Sequence, residues 1–360
     1  TIFHPKLGFL ARNENFSLTR RLGSPKVPRP LEKGPLRVLL FTALPDDVHP
    51  EKGRLNVEEE QIQVQESLLP WISKGTVTLE IPEDGRFETL KSSLEKYKPH
   101  VLFLSGHGRF NYEPHTGESP YGEFLFEGET GSTDPVHEKD LANAVTITGV
   151  NLVVLAACES GKTTSDALNS GLARQLHAQG VPHVIGMREE VIDQIAVLFA
   201  RTLCDAIAMG RTIEMAVQLA RIAIQRIEKE LLPGQWCLLM LLSSVETNSL
   251  IDWEFEPQKN DTYAINQSLN IISLPERFIG RRAELRRYKT DLLNGNIQKL
   301  LITGPGGQGK TALAGKLALD LQLHGKHVFA WSARPEYSWQ GFRSYLAQAL
   351  VGDYVKIYDR

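Results

Sequence analysis

Apolar and polar positions follow two rhythms along this chain. Short apolar runs occur at Arg37–Thr42 (RVLLFT), Val77–Ile81, Val101–Ser105 (VLFLS), Leu152–Ala157 (LVVLAA), His183–Met187 and Trp236–Ser243. Between them, apolar residues recur every three or four positions over about 55–74, 86–97, 166–178, 191–209 and 212–231. The runs predict strands buried on both faces, and the periodic segments predict amphipathic helices. Their alternation predicts an α/β domain: a mostly parallel sheet sandwiched by helices. Residues 1–35 are rich in Pro and basic residues and read as an irregular edge segment, while the polar, weakly periodic stretch 246–275 reads as a linker. A helix–strand–helix–strand pattern then restarts over about 281–294, 298–303, 309–324 and 326–332. The expected organisation is a domain over 1–245, a linker over 246–275 and the first part of a second α/β domain over 276–360.

Composition narrows the function classes. The chain is 42% apolar and 23% charged, with a formal net charge of -3 and a pI of about 6.4. That balance gives no electrostatic signal for nucleic acid or an anionic membrane. No apolar run reaches the roughly 18 residues that span a bilayer. The first residues, Thr1-Ile2-Phe3-His4-Pro5, lack both a starting Met and a basic-then-apolar signal pattern, so an excised segment is expected. Three widely spaced cysteines, Cys158, Cys204 and Cys237, suit neither a disulfide framework nor a zinc site, and point to a reducing cytoplasm.

Candidate chemistry collects where predicted strands end. The run at 101–105 leads into Gly106-His107-Gly108, the run at 152–157 into Cys158-Glu159-Ser160-Gly161, and the run at 183–187 into Arg188-Glu189-Glu190-Val191-Ile192-Asp193. In open α/β sheets the functional groups gather at the carboxyl ends of strands. Neighbouring parallel strands would bring His107, Cys158 and the acidic loop to one edge. An imidazole beside a thiol makes thiolate available at neutral pH. The flanking glycines let a peptide approach, and the N–H groups of Gly108 and Cys158 are candidates for an oxyanion hole. The separation of 51 residues between His107 and Cys158 is close to the roughly 50 of caspases. A lone cysteine after an apolar strand is ordinarily buried and inert, and Cys204 and Cys237 fit that description.

A second motif lies at Gly304-Pro305-Gly306-Gly307-Gln308-Gly309-Lys310-Thr311, between the expected strand Leu300–Thr303 and a helix beginning at Ala312. That is the P-loop pattern in its proper setting. Its backbone N–H groups and the helix N-terminus suit phosphate, Lys310 suits the β- and γ-phosphates, and Thr311 suits Mg²⁺. After Lys310 there is no apolar strand ending in acidic residues beyond a weak candidate at Val351–Asp353, so the nucleotide domain is expected to be incomplete.

Residues from about 7 to 245 resemble a CHAT domain, the caspase-like peptidase module related to separase. The resemblance rests on Val101–Gly108, on Val153–Gly161, on Val191-Ile192-Asp193 with the helix after it, and on Arg37–Leu40 followed by Glu58-Glu59-Glu60. It implies a cysteine endopeptidase with His107 as general base and Cys158 as nucleophile. By resemblance to separase, Asp193, with Glu189 and Glu190 beside it, would line the pocket for the residue before the scissile bond and favour Arg or Lys. The other account of Asp193 is a favourable charge at a helix start. One departure is Arg188-Glu189-Glu190, where family members often carry an aromatic residue and a proline.

Phe278-Ile279-Gly280-Arg281, with Ala283-Glu284-Leu285, resembles the entry motif of STAND-type switch ATPases, whose NB-ARC and NACHT members lay this segment against adenine. The combined resemblance implies an ATP-gated protease using ATP/ADP with Mg²⁺, self-oligomerising on activation. It further implies sensor domains beyond residue 360 and a role in prokaryotic defence against a gasdermin-like or other protein substrate. The rival expectation is a non-catalytic adaptor assembled by the nucleotide domain. A plain metabolic ATPase is weakened by the missing catalytic half.

Overall fold

The computed structural model describes residues 2–13, 16, 18–21, 30–48, 57–82, 84–111, 121–158, 168–187, 193–227, 234–244, 249–257, 281–323 and 339–349. The chain divides into two compact units, Thr1–Asp261 and Thr262–Arg360. The first opens with a small hairpin, β1 (Phe3–His4) and β2 (Gly8–Phe9). Then follow β3 (Leu36–Thr42), α1 (Val57–Ser73), β4 (Val77–Glu80), α2 (Phe87–Tyr97) and β5 (Val101–Asn111). Next come β6 (Tyr121–Glu127), β7 (Thr133–His137), α3 (Glu138–Ile147) and β8 (Leu152–Cys158). The unit continues with α4 (Leu168–Gln179), β9 (His183–Met187), α5 (Asp193–Ala208), α6 (Ile213–Ile227) and β10 (Leu239–Ser243).

The main sheet runs β10-β9-β8-β5-β3-β4. Its strands are parallel except β10, which pairs antiparallel with β9. Successive residues of each central strand enter opposite cores, as the period of two requires. Val38, Leu40, Val101, Phe103, Leu152 and Val154 join one cluster with α1, α5 and α6. Leu39, Phe41, Leu102, Leu104, Val153 and Leu155 join the other with α2, α3 and α4. This is the mixed α/β sandwich expected from the alternation of elements.

Three features depart from the sequence expectation. The stretch after residue 105 is not a loop: β5 continues to Asn111 and pairs antiparallel with β6, which pairs with β7. The segment 249–257, placed in the expected linker, packs on the first unit, with Leu250 and Ile251 buried in its core. It passes along the amino ends of β8 and β3: Asn151 Nδ2 donates to Leu250 O at 3.2 Å, and Asp252 N donates to Glu32 O at 3.0 Å. Trp253 and Phe255 pack against the same core, and the charged residues interleaved with these four apolar ones hid the segment in the sequence. Finally, Leu300–Thr303 is not a strand, and Leu301 is 84% exposed. A strand needs a partner for its backbone groups, and the described residues of this unit contain no other strand.

The amino-terminal segment covers the β10 edge. Arg20 forms a parallel bridge with Leu242. From α6, Gln218 donates to the carbonyls of Ala11 and Asn13, and Arg221 to those of Leu18 and Leu239. The second unit comprises α7 (Arg282–Leu293), α8 (Lys310–Leu323) and α9 (Trp339–Ala349). The strand expected at 326–332 lies outside the described residues.

Candidate active site

His107 stands where β5 changes partners. Its register partner in β8 is Cys158, and its partner in β6 is Leu125. The ladder therefore sets two candidate catalytic positions directly across from each other, on adjacent parallel strands at the carboxyl end of the ladder they share. Strand alternation assigns both positions to the sheet face covered by α1, α5 and α6. His107 is only 3% exposed. Its Nδ1 has no hydrogen-bond partner among the described residues. Burial pushes its pKa below the ordinary histidine value, because a low-polarity surrounding disfavours the charged imidazolium. The neutral ring is the form that can accept a proton. Cys158 is the last residue of β8, and its side chain lies outside the described residues.

The glycines beside His107 have different reasons. A Cβ on Gly106 would meet Phe124 Cζ at 2.6 Å and Ala43 O at 2.9 Å, so only glycine fits. Gly108 sits within the ladder opposite Phe124, not in a loop. Its position is therefore fixed by the strand.

The same face carries a buried polar layer that the sequence pattern did not single out. Thr42 is the register partner of Ser105, and Gln61 of α1 donates to Thr42 Oγ1 at 2.9 Å. The β6–β7 hairpin and α3 were also missed. The alternation of Tyr121–Glu127 (YGEFLFE) was the available signal for the hairpin.

The expected specificity residues are placed only in part. Glu189 and Glu190 lie outside the described residues. Asp193 is the first residue of α5, on the helix that covers the His107 face, but its side chain also lies outside the described residues. Cys204 is buried, and Cys237 is half-buried with its thiol donating to Gly234 O.

In the second unit, Gly304, Gly307 and Gly309 take φ values of 149°, 79° and 70°, which favour glycine. Among the described residues, no atom beyond the chain neighbours lies within 4 Å of where a Cβ would stand on Gly306, Gly307 or Gly309. Lys310 opens α8, and its Nζ donates to Pro305 O at 2.6 Å, across the loop. Thr311 is exposed beside it. These residues fit a phosphate group: an open glycine loop, a helix N-terminus and an ammonium at one point. Arg281 precedes α7 with φ of 57° and pairs with Glu284 at 2.9 Å. Phe278, Ile279 and Gly280 lie outside the described residues.

Residues 2–332 match the CHAT domain family. The chain belongs to the CHAT family. Membership points to a cysteine-protease type of function. The matched span runs past residue 245 and includes the glycine loop at 304–311. Among solved structures, the Drosophila initiator caspase Dronc is similar at 13% identity over 56% of this chain and 87% of its own, with a TM-score of 0.32. No curated protein sequence matches. Among the described residues, no helix is long and apolar enough to cross a membrane, and no group of three or more His, Cys, Asp or Glu is placed to hold a metal ion.

Proposed function

We propose that this CHAT chain is a cysteine endopeptidase in which His107 is the general base and Cys158 the nucleophile. The observation that carries the reading is their register pairing across β5 and β8. His107 takes the thiol proton, and the thiolate attacks the scissile carbonyl carbon. The backbone N–H groups of Gly108 and Cys158 stabilise the oxyanion. The imidazolium then protonates the departing amine. Water activated by His107 hydrolyses the thioester and returns the free thiol. Asp193, with Glu189 and Glu190, forms an acidic wall that accepts Arg or Lys before the scissile bond.

The glycine loop is the switch in this reading. Gly304, Gly306, Gly307, Gly309, Lys310 and Thr311 hold ATP or ADP with Mg²⁺, while Phe278, Ile279, Gly280 and Arg281 flank the base. The nucleotide supplies binding energy that differs between a resting and an assembled state. The setting is a STAND-type cytoplasmic defence protein that self-oligomerises, with a sensor beyond residue 360 and a gasdermin-like or other protein substrate. The test is activity-based labelling and peptide cleavage by the activated protein. Cys158→Ala and His107→Ala should each abolish cleavage, by several orders of magnitude and without adding. Normal cleavage by Cys158→Ala would mean that Cys158 is not the nucleophile, and a wild type that never cleaves would favour the adaptor.

A further inference from the structure

Glu127 is a buried carboxylate that the proposed chemistry does not use. It is 1% exposed at the end of β6. One carboxylate oxygen accepts from Leu44 N at 3.0 Å, the other from Gly85 N at 2.8 Å, and Glu127 N donates to Gly85 O at 2.9 Å. Three segments distant in sequence thus meet at one side chain: the exit of β3, the turn before α2 and β6. Burying a carboxylate is unfavourable unless its oxygens are bonded. Charge-assisted N–H···O bonds are about twice as strong as neutral ones, so this is a firm tie.

What the tie presses on is the backbone beside His107. A Cβ on Gly85 would meet Thr42 O at 2.5 Å and Ala43 Cα at 2.6 Å. On its other side the same chain segment rests against Gly106, whose Cβ would lie 2.9 Å from Ala43 O. Ala43 N also donates to Ser105 O at 2.9 Å. Residues 42–44 are therefore wedged between Gly85 and Gly106, with Glu127 closing the wedge. The segment is secured again further along, where Asp46 N donates to Gly131 O and Asp47 accepts from Thr133 N at 2.9 Å.

We propose that Glu127 is a positioning residue for His107: by clamping Leu44 and Gly85 it holds the 42–44 segment against Gly106 and so fixes the height and tilt of the strand that carries the imidazole. Its catalytic consequence rests on the peptidase reading; its effect on the ring does not. The site lies where β5 passes from the β3–β8 ladder to the β6 ladder, so the third support is the 42–44 segment.

The experiment uses the full chain with ¹³C-labelled histidine. The His107 ring cross-peak is assigned by its loss in His107→Gln. It is then followed in Glu127→Gln, in Asp47→Ala, which frees the same segment from its exposed side, and in Glu123→Gln. The last breaks the Arg109–Glu123 pair that links β5 to β6 without touching the 42–44 segment, and serves as control. Glu127→Gln should displace the His107 peak and Asp47→Ala should displace it less, in the same direction, with Glu123→Gln leaving it in place. On a cleaved peptide, Glu127→Gln should lower kcat about ten- to a hundredfold with KM nearly constant, as misplacement by about 1 Å does. An unmoved His107 peak in folded Glu127→Gln, or an unchanged kcat, overturns the proposal. If Glu127→Gln does not fold, Asp47→Ala decides alone, and no displacement there overturns it. A wild type that cleaves no peptide sinks the peptidase reading, while the ring signal still judges the positioning.

Discussion

Acid should unfold the first unit through two histidines remote from the candidate dyad. His100, just before β5, is buried and its Nδ1 accepts from Arg37 N at 3.0 Å. His183 opens β9, also buried, with Nδ1 3.1 Å from Ser243 Oγ. Burial pulls each pKa from 6.5 down to about 4. The Arg37 charge adds to this at His100 while Glu32 opposes it, and the charge of His177 adds to it at His183. In the range between those values the unfolded chain binds more protons than the folded one. Stability from these groups is therefore complete above the unfolded value of 6.5 and lost as pH falls towards 4. At 1.36 kcal/mol per pKa unit, going from about pH 7.5 to about pH 4.5 removes roughly 2–3 kcal/mol per site. Two sites together remove about 5 kcal/mol, comparable to the ~5–15 kcal/mol that holds a domain folded. Urea unfolding followed by tryptophan fluorescence at the two pH values measures it. His183→Asn should roughly halve the dependence. Equal pH dependence in His183→Asn and wild type, or a wild type as stable near pH 4.5 as at neutrality, would refute the assignment.

Four further outcomes are expected. Gly106→Ala should destabilise the fold by about 1–3 kcal/mol through overpacking on Phe124 and Ala43, read as a lowered urea midpoint. Cys204→Ala and Cys237→Ala should retain cleavage while Cys158→Ala does not, and labelling by a thiol-directed peptide probe checks which sulfur reacts. Lys310→Ala should abolish nucleotide binding in the full-length protein and block activation without altering the His107 ring signal; equal activation of mutant and wild type by one trigger would break the coupling. Asp193→Ala should weaken an arginine preference by about 2–5 kcal/mol, about 30-fold or more, and a peptide-library profile favouring aspartate instead would reject the acidic pocket.

The sheet was readable in the sequence because its central strands are buried on both faces. Val101–Ser105, Leu152–Ala157 and His183–Met187 are nearly uninterrupted apolar runs, and each forms a strand at the place expected. The juxtaposition of His107 with Cys158 followed from motif order and parallel topology. What the pattern concealed were elements with mixed composition. Thr133–His137 includes Asp134, Pro135 and His137, yet it forms β7 because β6 supplies its pairing partner. Glu127 carried no signal at all, since a carboxylate in a short alternating strand reads as its solvent-facing side. Leu300–Ile302 erred the other way: it is apolar enough for a strand, but pairing depends on neighbours that local composition cannot report.

The path of 249–257 decides where this protein can be divided. Because the segment runs beneath the feet of β8 and β3, it acts as a fastening and not as a tether. A fragment cut at residue 245 would withdraw Leu250 and Ile251 from the core, losing ~1.5–3 kcal/mol of apolar burial for each. It would also remove the Lys33–Asp252 ion pair at 3.6 Å and the acceptor of Asn151. The smallest piece worth excising therefore extends through residue 257, with the cut placed after Trp253 and Phe255 have packed against the core.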